Sequence, residues 1–91
     1  DARAAASNGQ ADTVAALLRG GAAVDAVGSR GETALMGAAR NGHTECARLL
    51  LEAGAAVDAV CNDGETALME AARNGHTECA RLLLEAGAAV D

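Results

Sequence analysis

The chain writes one passage twice. GETALMGAARNGHTECARLLLEAGAAVD at residues 31–58 returns as GETALMEAARNGHTECARLLLEAGAAVD at residues 64–91, with only Gly37 changed to Glu70. Gly31 and Gly64, Thr33 and Thr66, His43 and His76, and Gly54 and Gly87 each stand 33 residues apart. One further step back finds a weaker copy: Asn8-Gly9 falls on Asn41-Gly42, Leu17-Leu18 on Leu50-Leu51, and residues 21–25 on 54–58. A fixed period of this size marks stacked repeats, because one short unit cannot bury its own apolar flank and needs neighbours to do so. A catalytic site is built from unlike residues converging on one point. Literal duplication builds a stack.

Each unit carries its own punctuation. Thr33 stands before Ala34-Leu35-Met36-Gly37-Ala38-Ala39-Arg40, where its hydroxyl can accept from a free N–H of the first helical turn. Met36 occupies the position at which Glu would close a capping box, so none forms. Asn41-Gly42 ends this first helix, since glycine tolerates the left-handed conformation that a helix stop requires. A second helix is predicted from about Thr44 to Glu52, with Glu45 in the first turn, where the helix dipole favours an acid. Cys46, Ala47, Leu49, Leu50 and Leu51 cover more than half its girdle, which suits a helix sandwiched between neighbours. Gly54 stops it, and the residues up to Glu32's counterpart Glu65 form a long turn. The unit is a helical hairpin with a projecting loop.

Period 33, the GETALM stretch, Asn-Gly-His, the LLLEAGA run and the GAAVD ending together resemble the ankyrin repeat, and the likeness covers essentially the whole chain. The resemblance implies an all-α repeat solenoid: helix-turn-helix units stack side by side, β-turn fingers project from them, and fingers and first helices form a concave face. It divides residues 1–91 into a cap-like repeat at 1–27, an internal repeat at 28–60 and an internal-type repeat at 61–91. Where the family writes Thr-Pro-Leu-His, this chain has Thr33-Ala34-Leu35-Met36 and Thr66-Ala67-Leu68-Met69. Losing Pro removes only a preset φ; losing His removes hydrogen bonds that tie turn to helix.

A linear stack needs polar outer faces on its terminal units. The first unit carries Arg3, Ser7, Gln10, Asp12 and Thr13 where the next has Met36, Arg40, His43, Glu45 and Cys46, as an N-terminal cap would. The last unit keeps Cys79, Leu82, Leu83 and Leu84 unaltered. Each large apolar side chain left wet forfeits roughly 1.5–3 kcal/mol of burial. The expectation is that this end belongs to a longer array or is covered by another chain, end-to-end self-association being one way to cover it.

Composition narrows the partners. A net charge of −6 from seven Arg, no Lys and thirteen acids disfavours nucleic acid and anionic membranes, which need a cationic face. A protein partner remains. Three cysteines, an odd number without framework spacing, read as reduced thiols of an intracellular, cytoplasmic protein. His43/Cys46 and His76/Cys79 have helical spacing, yet neighbouring helices ~8–10 Å apart hold the two pairs too far from one metal. They read as core cysteines with turn-bonding histidines, and neither a metal nor a cofactor is expected. A buried cysteine makes a poorly reachable nucleophile. Cys61, in the loop, is expected to be the one exposed thiol. A phosphate loop of the G-x-x-x-x-G-K-[ST] type cannot exist without Lys. The acidic pairs Asp63/Glu65 and Glu70/Glu78 read as a solvated face.

Between residues 25–57 and 58–90 four positions differ: Gly28/Cys61, Ser29/Asn62, Arg30/Asp63 and Gly37/Glu70. Recognition and drift at positions where packing is silent explain such differences equally well. The resemblance implies partner contacts at finger tips, at the exposed ends of first helices and before the glycine stop. Here these are Ser29, Arg30, Glu32, Arg40, Asn41 and Ala53, then Asn62, Asp63, Glu65, Arg73, Asn74 and Ala86, joined by Gly37 and Glu70 because they differ. The implied function is a non-catalytic protein-interaction module. An artificial or consensus-type scaffold of the same fold, without a natural partner, is the alternative.

Overall fold

Thr33 and Thr66 each open a helix, and the geometry shows how. In the computed structural model, which describes residues 1–89, the Met36 N–H donates to Thr33 Oγ1 (3.3 Å) and the Met69 N–H to Thr66 Oγ1 (3.2 Å). These caps start α3 (Ala34–Arg40) and α5 (Ala67–Arg73); their partners are α4 (Thr44–Glu52) and α6 (Thr77–Glu85). The weaker first copy supplies α1 (Ala2–Ser7), capped by the Asp1 carboxylate, and α2 (Ala11–Arg19). Among the described residues there are six helices and no strand. Val90 and Asp91, the last letters of the GAAVD ending, lie outside them.

Glycine ends the helices as the letters predict. Gly42 takes φ 73°; its N–H donates to the Ala39 carbonyl while the His43 N–H donates to Ala38. That is a Schellman stop, which only a residue at ease with positive φ closes without strain. Gly54, at φ 91°, repeats the pattern on Leu51 and Leu50. The hairpins then stack in two layers, α1, α3 and α5 in one and α2, α4 and α6 in the other. Leu35, Met36, Leu50, Leu83, Val14, Cys46 and Cys79 fill the core, while the fully buried Ala6, Ala38, Ala39 and Ala71 let helices approach closely. No helix among the described residues is long and apolar enough to cross a membrane.

The long turns form fingers. In one, the Gly28 N–H donates to the Glu32 carbonyl and the Gly31 N–H to Gly28, both at 3.0 Å; Cys61, Glu65 and Gly64 repeat this. Fingers are linked edge to edge. The Asn62 N–H donates to the Arg30 carbonyl (3.0 Å), and the Asp25 and Asp58 carboxylates accept from the Ala56 and Ala89 N–H groups (2.9 Å each).

Two expectations need correction here. Cys61 is buried, 9% exposed, as are the other two thiols; the tight turn folds its side chain inward, so the loop exposes no thiol. Arg3 and Ser7 do not serve the outer flank of the first repeat. They lie against the second, Arg3 filling the space beside Gly28 and Ser7 the space beside Gly37.

Candidate functional site

Fingers and first helices enclose two charged clefts, each at a junction between repeats. The first, about 220 Å³, has Arg3, Ser7, Glu32, Gly37 and Arg40 among its walls. The second, about 210 Å³, is lined by Arg30, Arg40 and Arg73 against Glu32, Asp63, Glu65 and Glu70, with Cys61.

Arg40 organises the second cleft. It leaves the last turn of α3 and reaches back to Glu32 at the finger base while donating to Glu70 Oε2 of the next repeat at 3.0 Å. Glu32 and Glu70 are 25% and 7% exposed at the side chain, Arg40 38%. Hydrogen bonding from Arg40 holds the Glu32 carboxyl below its ordinary 4.5, against burial. Its bonds to Glu70 and Glu32 raise the Arg40 guanidinium still further above the usual range. One guanidinium thus ties finger, first helix and following repeat together. In the third repeat Arg73 bonds Glu65 likewise, and that bond lowers the Glu65 carboxyl.

The predicted recognition residues fall into distinct groups. Ser29, Arg30, Asn62 and Asp63 sit exposed on the finger tips, where Arg30 and Asp63 face each other at 3.9 Å. Glu32, Arg40, Glu65 and Arg73 line the clefts. Asn41 and Asn74 cap the first helices; Asn41 Nδ2 donates to the Ser7 and Gly37 carbonyls (3.1 Å each), and Asn74 Nδ2 to the Glu70 carbonyl (2.8 Å). Ala53 and Ala86, at the ends of α4 and α6, line neither cleft.

The solvated face read for Glu70 requires correction, and Gly37, chosen with it because the two differ, is buried as well, with Ser7 Oγ where a Cβ would stand. Glu70 is 5% exposed and belongs to no solvated face, because Arg40 covers it. Nor is packing silent at the other differing positions. Gly28 faces Arg3, Asn62 Oδ1 would lie 2.6 Å from a Cβ on Gly31, and Arg30 pairs with Asp63. The repeats differ where they touch each other. A signal for this was present in the letters: Ser7 precedes Gly37 by 30 residues, and Arg40 precedes Glu70 by 30.

Burial pushes the Cys46 and Cys79 thiols up, Cys79 against a hydrogen bond from Thr44 Oγ1. His43 and His76 lie over Gly9 and Gly42 of the preceding repeats, their Nδ1 atoms 2.7 and 2.5 Å from where a Cβ would be. Among the described residues no three His, Cys, Asp or Glu side chains converge as metal ligands would.

Paired helices in two layers, with turn-tipped fingers on one edge, define a helical repeat solenoid. The family description for ankyrin repeats in three copies matches residues 3–91, so the chain belongs to the ankyrin repeat family. It is similar to the crystal structure of the human ASB11 ankyrin repeat domain, with TM-score 0.97 and 34% identity over 100% of this chain and 41% of that one. The chain therefore spans less than half of that neighbour's length. No curated protein matches it. Ankyrin repeats are in general protein–protein interaction modules.

Proposed function

We propose that this chain is a non-catalytic recognition module that binds a protein segment along its finger tips and charged clefts. The observation that carries the reading is the second cleft, where Arg30, Arg40 and Arg73 are paired with four carboxylates on a framework of inter-repeat hydrogen bonds. Such a surface is preformed, so docking loses little conformational entropy. It offers both signs of charge in fixed order, which selects a partner segment by its own order of charges. Ser29, Arg30, Asn62 and Asp63 supply the rim, and Glu32, Arg40, Glu65 and Arg73 the floor; Asn41, Asn74, Ala53 and Ala86 extend it along the helix ends. The negative net charge favours a protein over nucleic acid or an anionic membrane. Free thiols support an intracellular, cytoplasmic setting. No cofactor enters this mechanism.

The test exchanges the tip charges. Arg30→Asp with Asp63→Arg keeps the pair and reverses its direction. A partner isolated with the parent chain should bind the exchanged chain at least about tenfold more weakly, roughly 1.4 kcal/mol. Equal affinity for both chains would remove the tips from the binding surface.

The flank of the third repeat offers a second contact. Met69 and Leu84 are 39% and 46% exposed, which supports coverage by another chain, end-to-end self-association included.

A further inference from the structure

The second helices α4 and α6 meet in a groove that neither cleft reaches. Leu51 and Leu82, both only partly buried, form its floor, and Arg48, Glu52, Glu85 and Ala86 stand around it; its volume is about 290 Å³. The groove does not depend on where the stack stops. Leu49, Glu52 and Ala53 belong to a repeat with a neighbour on either side, and they are as open as Leu82, Glu85 and Ala86 of the third. A further repeat would leave this floor and rim uncovered.

The rim is charged in one sense. Glu52 and Glu85 close α4 and α6, whose last turns hold no basic residue, so each acid adds to the negative end of its helix dipole. Arg48 and Arg81, on the same helices, turn the other way to Glu45 and Glu78. Among the described residues neither Glu52 nor Glu85 enters an ion pair. The junction of α2 with α4 keeps the leucines, as Leu18 and Leu49, but has Arg19 in the place of Glu52 and Ala15 in that of Arg48. Two junctions with the same floor thus differ in sign at the rim.

We propose that the groove between α4 and α6 docks a basic amphipathic helix of a partner protein, with apolar residues on Leu51 and Leu82 and a lysine or arginine between Glu52 and Glu85. Apolar side chains three or four apart share one face of such a helix and can anchor in a groove. A cation beside them meets two carboxylates and two helix ends. The net charge of −6 draws a basic segment towards the chain. A second copy of this chain is a poor occupant, because each of its six helices carries a single arginine. The groove lies on the other helix layer from the finger tips and clefts, so it stands independently of the recognition surface placed there.

The probe is a labelled, amidated peptide with Leu at helical spacing and Lys at the flanking positions, titrated with the intact chain and followed by fluorescence anisotropy. Glu52→Gln with Glu85→Gln should weaken binding at least about tenfold. Asp12→Asn with Glu78→Gln removes the same charge from exposed positions outside the groove. At physiological salt it should change binding by less than about twofold, as should Arg30→Asp with Asp63→Arg at the tips. Circular dichroism melts would confirm that every variant folds. No measurable binding of the peptide, or equal losses from the groove pair and the control pair, would overturn the assignment. So would equal binding of a peptide with Ser at the Leu positions, since the leucine floor would then not be read. A loss confined to the tip exchange would move the peptide to the fingers; the groove would fail as a docking site while the recognition surface at the tips stood.

Discussion

The second and third repeats share all but four of 33 letters and live in different surroundings. Met36 is 1% exposed and Met69 39%; both follow the same capping threonine by three residues in helices of the same length. Arg40 bonds two carboxylates, Arg73 one. The difference comes from neighbours. The second repeat is covered on both sides, the third on one. Where the two sequences diverge, the divergence also answers a neighbour: Gly37 makes room for Ser7, and Glu70 meets Arg40. Identical helical hairpins thus acquire distinct energetics from position in the stack, as nearest-neighbour coupling in repeat proteins requires.

Methionine truncation should show this contrast most strongly. Met36→Ala removes a fully buried side chain and should cost about 2–4 kcal/mol in urea unfolding. Met69→Ala removes a half-wet one and should cost less than ~1 kcal/mol. Equal losses would mean that the third flank is covered in solution.

Next comes the inter-repeat ion pair. Glu70→Gln weakens a charge-assisted bond to Arg40 and should cost about 1–2 kcal/mol. Glu65→Gln acts on a more open pair and should cost less. The same unfolding series checks both, and a reversed order would dethrone Arg40 as the link between repeats.

A smaller effect should appear in acid. Glu32 and Glu65 both titrate below the ordinary carboxylate value of 4.5, chiefly through hydrogen bonds from Arg40 and Arg73. Their lowered folded-state values mean that the unfolded chain binds these protons first as pH falls. The stability they add is therefore complete at neutral pH and is lost as pH drops below 4.5 through the folded values. Arg40→Gln should flatten the part of that acid loss due to Glu32 and leave the Glu65 part. Thermal melts between pH 3 and 7, a range chosen to span that value, would show an unchanged slope if the pairing were absent in solution.

Local structure was legible in the letters because local residues decide it. Thr33 and Thr66 cap, Gly42 and Gly54 stop, and the bounds of α3 and α4 follow. The Leu and Cys stripe of α4 reads as core for the same reason. Side-chain fates set by the adjacent repeat were harder to read. The burial of Glu70 and the inner placement of Arg3 and Ser7 each depend on a contact about one period away, which helical spacing within a unit does not report, and the inward turn of Cys61 depends on the closure of its finger onto Glu65. The clefts lay between these two extremes. Their acids and arginines were identifiable as finger and helix-end residues, but the convergence of Glu32 and Glu70 on Arg40 needed the stack.

The central claim is that adjoining repeats read each other at positions 7 and 37, then 40 and 70. A double-mutant cycle on Ser7→Arg and Gly37→Glu, which rewrites the first junction in the chemistry of the second, tests it most directly. Gly37→Glu alone should cost about 1–3 kcal/mol, because it crowds Ser7 and buries a carboxylate beside a hydroxyl. Adding Ser7→Arg should recover much of this, with a favourable coupling of about 0.5–3 kcal/mol. Strictly additive losses would contradict the claim and leave the Gly37/Glu70 difference without a structural cause.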